Sequence, residues 1–302
     1  MEFFIQQIVN GVSLGSMYAL IAIGYTLVYG VLRLINFAHG DIMMVGAFLV
    51  YILFSVVGLN FYVSVILSIL ITALVGVLTH KIAYSPLINK DAPKISLLIT
   101  AIGISFFLES LFNVIANHSL GASHLPFPYP EMFSKTYHFG NVTISLLTII
   151  VPIITLMILA GILYILYKTK IGIAIRALAF DIQTVRLMGA NSDTIIAFVF
   201  ALGSGLASIG GIFYSMTYPS IDPYMGMLVG LKAFAAAVLG GIGSVTGAVI
   251  GGFILGFSEI VIPGFFPDFG GYKDAFAFIF LILVLLFRPT GIMGIDFERK
   301  RF

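Results

Sequence analysis

Eight apolar runs, at 4–32, 38–57, 61–80, 95–116, 143–167, 194–217, 228–262 and 272–287, leave little of this chain for anything else. An α-helix needs about 20 apolar residues to cross the hydrocarbon core of a bilayer, and the runs are of that order or longer. The chain is 60% hydrophobic and 9% charged, whereas soluble domains carry about a quarter charged residues. One soluble core cannot hide that much apolar surface. A transmembrane β-barrel would alternate apolar and polar residues in segments of about ten, and the runs do not alternate. The expected fold is therefore all-α, a polytopic membrane helix bundle of about eight segments. Residues 1–302 are expected to make a single transmembrane domain. No Lys or Arg precedes Arg33, so the first run lacks the basic start of a cleaved leader and is expected to be retained.

The basic residues set an orientation. Arg33, then Lys81, Lys90 and Lys94, then Lys168, Lys170, Arg176 and Arg186, then Arg288, Arg299, Lys300 and Arg301 fall on one side if the N-terminus lies outside. The exceptions are Lys135, Lys232 and Lys273. Because Lys and Arg accumulate in cytoplasmic loops, the N-terminus is expected outside and the C-terminus inside. Parity then requires 228–262 to enter and return. Its turn is marked by Gly240, Gly241 and Gly243, and a re-entrant or short-helix hairpin is expected, with two thin full spans as the alternative. Such a hairpin is tolerated at membrane depth only when protein or a water-filled path surrounds it. The longest outside loop, Asn117 to Asn141, carries Pro126, Pro128 and Pro130, which favour extended or turn backbone. It reads as either a docking loop or a simple connector.

Small residues recur every four positions, at Gly11, Gly15 and Ala19, at Gly203, Ala207 and Gly211, and at Gly243, Gly247 and Gly251. Such faces let helix backbones approach closely in lipid. Ionisable residues within or beside the runs are Asp41, Glu109, Lys232 and Glu259. Each costs about 2.5–3.5 kcal/mol at the centre of an inserted helix, so they are not expected to face lipid. Asp41 follows Asn36 and His39 in the break LINFAHGD. These six residues are candidates for a translocation pathway; structural pairing between helices, for instance Lys232 with a carboxylate, is the competing explanation.

Enzyme signatures are lacking. No Lys follows a Gly, so there is no GxxxxGK[ST] loop, and HExxH does not occur. There are no cysteines. His118 and His124 share the outside loop, but two ligands fall short of a metal site; neither a metal nor another cofactor is expected. A net charge of +2 gives no reason to expect nucleic acid as a partner.

The polar stretch 168–193 lies between two long runs. Ile175, Leu178, Ile182 and Val185 step by 3, 4 and 3, forming one apolar stripe of a short helix. Gly189 suits its C-terminal end, and Ser192 or Asp193 is expected to cap the next helix. Such a stripe fits either the headgroup layer or the groove of a partner protein.

Several stretches resemble the LivH-type membrane permeases of branched-chain amino acid ABC importers. They are NGVSLGSMYALIAIGYTLVYGVLRLINFAHGDIMMVGAF at 10–48, IGIAIRALAFDIQTVRLMGANSDTIIAFVFALGSGLASIGGIFY at 171–214, GLKAFAAAVLGGIGSVTGAVIGGFILG at 230–256 and LLFRPTGIMG at 285–294. The resemblance implies that 168–193 is a cytoplasmic ATPase-coupling loop, with Arg176, Ala177, Asp181, Arg186, Leu187, Gly189 and Asn191 as its coupling residues. Val185 and Ala190 depart from the alanine and isoleucine expected there. The resemblance also implies a prokaryotic inner-membrane importer without catalysis of its own. Its expected partners are a second homologous permease of the LivM type, two ABC ATPase subunits and an extracytoplasmic solute-binding protein. Branched-chain amino acids are the implied cargo, with urea or short amides as an alternative. A different class, an ion-coupled secondary transporter using Asp41, Glu109 or Glu259, stays open at this point.

Overall fold

The computed structural model describes residues 2–140 and 142–294. Arg299, Lys300 and Arg301 of the basic tail, and Asn141 at the end of the outside loop, lie outside them. In chain order the helices are α1 (Glu2–Leu32), α2 (His39–Tyr51), α3 (Phe61–Thr79), α4 (Ser85–Asn89), α5 (Lys94–Val114), α6 (Leu146–Lys168), α7 (Lys170–Phe180), α8 (Ile182–Leu187), α9 (Ser192–Thr217), α10 (Met225–Gly240), α11 (Val245–Phe265) and α12 (Lys273–Phe287). Among the described residues eight helices are long and apolar enough to cross a membrane. Side-chain oxygens fix several of their starts: Asn60, Ser145, Thr169, Asn191 and Ser244 each accept a backbone N–H of the turn they open.

The bundle is built around α1, which from Gly11 to Val28 is mostly apolar on every side and correspondingly buried. Its small face works as expected. A Cβ placed on Gly15 would come within 2.8 Å of the Phe253 Cα, and one on Gly252 within 2.7 Å of the Ala19 Cα, so α1 and α11 touch backbone to backbone. On its other side, a Cβ on Gly24 would lie 2.8 Å from the Gly203 carbonyl of α9. Gly243 departs from the expectation. It belongs to the turn before α11, at φ +93°, rather than to a helix face.

The outer helices have inverted polarity. Ser64, Ser68 and Thr72 of α3 are fully buried, and Gly76 lies on the same stripe. The Ser68 hydroxyl donates to the Gly46 carbonyl at 2.6 Å and lies 3.4 Å from the Ser208 hydroxyl. Ile66, Leu70 and Leu74 of the same helix are exposed, as are Ile99 and Phe106 on α5 and Leu156 and Met157 on α6. Contiguous apolar surface of this extent does not persist in water; against lipid tails it is the stable arrangement. The chain is a multi-pass membrane protein.

The 228–262 segment resolves into an unequal hairpin. α10 has 16 residues, about 24 Å at 1.5 Å per residue, short of a hydrocarbon core of about 30 Å. α11 has 21 residues and is long enough to cross. The turn between them is made by Gly241 and Gly243, both at positive φ. The Pro-rich loop is not bare connector. β1 (Leu125–Pro126) pairs antiparallel with β4 (Ser220–Ile221), and β2 (Thr136–Phe139) pairs with β3 (Val142–Ser145). The first of these pairs ties the loop to the segment that leads into α10.

Candidate functional site

Three places gather the polar residues singled out above. The first is the elbow at 168–193. The expected single helix is broken at Asp181, whose backbone is extended (φ −158°, ψ 114°). α7 ends there and α8 begins, with the Thr184 hydroxyl donating to Asp181 Oδ2 at 2.6 Å. Gly189 stands at φ +82° beyond α8, where its N–H reaches the Arg186 carbonyl at 3.0 Å, a glycine-dependent helix stop. The cap of α9 is Asn191, not Ser192 or Asp193. Those two have other partners: Ser192 Oγ accepts from Arg186 Nε at 2.8 Å, and Asp193 Oδ1 accepts from Ser85 Oγ at 2.6 Å and lies 3.0 Å from His80 Nε2.

The apolar stripe turns inward. Ile175, Leu178 and Val185 are buried against the chain's own α1, α6 and α9, and Ile182 is half-buried there. The reason is local: α7 sits under the bundle, so its apolar side completes that core and is not available to a partner's groove. The elbow leaves Ile171, Ile173 and Phe180 exposed, and most of all Leu187 and Met188, 88% and 81% exposed. Arg33 Nη2 donates to the Ala179 carbonyl at 2.6 Å, and Arg186 Nη2 donates to Asn89 Oδ1 at 2.9 Å. The Arg176 guanidinium lies 5.2 Å from the centre of the Tyr167 ring. Ala177 is half-buried. Behind α7 a cavity of about 320 Å³ opens toward Thr26, Val31 and Ser244.

The second place lies where α2 begins. His39 packs on Tyr25 with ring centres 4.4 Å apart and would be struck by any Cβ on Gly24. α1 continues about two turns, roughly 10 Å, past that level to Leu32. The LINFAHGD break therefore climbs back along α1, and α2 starts within the depth of the bundle. Gly40 presses on α10: a Cβ on Gly230 would lie 2.6 Å from the Gly40 Cα. Asp41, 1% exposed, accepts from the Ser105 hydroxyl of α5 through Oδ2, while its Oδ1 has no hydrogen-bond partner. That free oxygen lies beside Gly226, where a Cβ would come within 2.7 Å of it. Ser105, Glu109 and Gly226 line one cleft of about 200 Å³ between α5 and α10, walled by Phe37, Ile102, Phe106 and Met227. Neither Asp41 nor Glu109 pairs with a basic side chain among the described residues. Asn36 sits farther along the break, where its Oδ1 accepts from the Tyr84 hydroxyl at 3.0 Å.

The third place is a closed ionic knot. Lys232 Nζ of α10 meets Glu259 Oε1 of α11 at 2.7 Å and Asp274 Oδ1 of α12 at 2.6 Å. The Tyr18 hydroxyl of α1 donates to the other Glu259 oxygen at 2.7 Å. The expected pairing of Lys232 with a carboxylate is realised here, and Lys232 and Glu259 are engaged with each other rather than with the Asp41 cluster. Sequence reading passed over Ser105, Tyr18 and Asp274. A serine within an apolar run and a tyrosine on a largely apolar helix give no local sign of a partner more than sixty residues away.

Comparison with known proteins bears on all three. The family described as branched-chain amino acid transport system, permease component, matches residues 7–285. The high-affinity branched-chain amino acid transport system permease protein BraD of Pseudomonas aeruginosa is 40% identical over 299 residues, covering 96% of either chain. The corresponding LivH protein of Escherichia coli K12 is 37% identical over 305 residues, covering 97% of this chain and 96% of its own. A probable LivH permease from Methanocaldococcus jannaschii is 29% identical over 295 residues, with 95% and 91% covered. These relatives are transport permeases, not enzymes.

Proposed function

Because the chain belongs to the family of branched-chain amino acid transport system permease components, we propose that it is the membrane-spanning subunit through which an ABC importer admits branched-chain amino acids to the cell. Residues 1–302 act as one permease domain with 168–193 as its cytoplasmic coupling loop. A second homologous permease completes the pathway, two ATPase subunits supply the energy, and an extracytoplasmic binding protein delivers the cargo. The N-terminus lies outside and the C-terminus inside the cytoplasmic membrane, following the basic loops.

The observation that carries the coupling role is the near-complete exposure of Leu187 and Met188, the most exposed apolar side chains of a capped and braced elbow. Two large apolar side chains held out by a rigid turn are what a partner's groove takes up. Asp181, Arg186, Gly189 and Asn191 then set the shape of that projection, Arg176 and Ala177 lie on its membrane side, and Leu187 makes the contact.

Replacing both tips, Leu187→Asp with Met188→Asp, changes two side chains that are 88% and 81% exposed. The assembled complex in proteoliposomes is expected to lose ATP-driven leucine uptake by ~10-fold or more, since each lost decade corresponds to about 1.4 kcal/mol of contact. Uptake at the unmodified rate would refute the docking role. Orientation has its own check: an impermeant amine reagent applied outside intact cells is expected to reach Lys135 and not Lys90, and the opposite pattern would invert the topology.

A further inference from the structure

We propose that the cleft between α5 and α10 is a station for the amino acid in transit, with Asp41 and Glu109 taking its ammonium group and the first turn of α10 its carboxylate. The proposal rests on the transport reading above and names the site within it.

The cleft has the chemistry of a small aliphatic zwitterion. At about 200 Å³ it is smaller than the roughly 300–1,000 Å³ common for drug-sized ligands. Its apolar wall of Phe37, Ile102, Phe106 and Met227 matches a branched hydrocarbon side chain. Its polar side carries Glu109 and Ser105, and immediately behind Ser105 lies Asp41, whose free oxygen points to Gly226 on the same cleft. Buried carboxylate oxygens are hydrogen-bonded as a rule, so an orphan oxygen beside a cleft marks a place for a donor. An ammonium group offers three.

The anionic end finds the opposite polarity close by. Gly226 and Met227 belong to the first turn of α10, a 16-residue helix whose N-cap residue, Tyr224, makes no side-chain capping bond. A helix start of this kind carries partial positive charge; its Met225 and Met227 N–H groups already bond the Asp222 and Tyr224 carbonyls, so the seat is the Gly226 end of the helix dipole rather than a set of open donors. Inside a membrane protein, a broken-helix terminus at depth is a recurrent seat for a substrate carboxylate. The glycines explain how the seat is built. Gly40, Gly226 and Gly230 let α2 and α10 meet backbone to backbone, so that Asp41 reaches the α10 terminus without an intervening side chain.

The chain contains no cysteine, which makes a single reporter thiol clean to read. In vesicles carrying the complete importer with Met227→Cys in this chain, leucine is expected to slow maleimide modification at least ~5-fold. 4-Methylpentanoate, the same skeleton without the ammonium group, is expected to give no protection. Separately, Glu109→Gln is expected to raise the half-saturating leucine concentration for uptake ~10-fold. The site is overturned if leucine fails to protect Cys at 227 in vesicles that import leucine, if the amine-free acid protects equally, or if Glu109→Gln leaves half-saturation unchanged. Absence of leucine import by the unmodified complex would be a different result, one that removes the transport reading together with the site that depends on it.

Discussion

Two pairs of carboxylates lie inside this bundle, and they are treated in opposite ways. Glu259 and Asp274 converge on Lys232, and Glu259 also takes a hydrogen bond from Tyr18, so the group closes on itself across α1, α10, α11 and α12. Asp41 and Glu109 have no cation among the described residues; Glu109 lines the cleft, and Asp41 lies behind Ser105 with one oxygen free. Burial of charge without a partner is costly, and the Lys232–Glu259 pair shows that these helices can bring a cation to a buried carboxylate. The contrast separates charge used as mortar from charge held in reserve.

The comparison is most directly broken at the mortar. Lys232→Met leaves Glu259 buried without its main counter-charge and is expected to destabilise the protein by about 3–5 kcal/mol, the usual penalty for breaking a buried pair from one side. Much of the loss should return in the double variant Lys232→Met with Glu259→Gln. A thermal unfolding series in detergent reads both, and a wild-type midpoint for the single variant would mean the knot is ornamental. The matching change in the reserve, Asp41→Asn, keeps the Ser105 bond and removes an unpaired charge. The same series should show a shift equivalent to less than about 1 kcal/mol, within the range of substitutions that break no network. A collapse there would put Asp41 with the structural group. The smallest effect belongs to Asp274→Asn. Its side chain is 37% exposed at the start of α12, and a partly solvated ion pair is worth about 1 kcal/mol or less.

The long apolar runs made the bundle legible. All but one became a single spanning helix within a few residues of the expected limits, 228–262 split into α10 and α11, and of the three glycines expected at its turn Gly241 and Gly243 make it while Gly240 ends α10. The small-residue faces were also readable, because glycines four apart have few other uses in a lipid-spanning helix. The inverted stripe Ser64, Ser68, Thr72 and Gly76 is equally visible in the sequence once lipid, rather than water, is taken as the outside solvent. The elbow was read less well. The spacing of Ile175, Leu178, Ile182 and Val185 is that of one amphipathic helix, and spacing cannot say whether such a stripe faces a partner or the chain's own core. Nor can it register that Asp181 adopts an extended backbone and divides the helix. That Lys232 would pair with a carboxylate could be expected from burial alone, but its particular partners could not: Lys232, Glu259, Asp274 and Tyr18 meet through tertiary packing, which no local pattern encodes.

The hollow behind α7 has a mechanical consequence. A close-packed interior passes a displacement straight on, whereas a void lets the part in front of it give way first. α7 is pinned at its start by the Thr169 cap and near its end by Arg33, with about 320 Å³ of empty space behind it. Pressure on the Leu187–Met188 tip therefore has a direction of easy travel, a rocking of the lever into the gap. The gap ends at the Thr26–Val31 stretch of α1, so under the proposed coupling role a stroke would take up that slack before it reached the central helix.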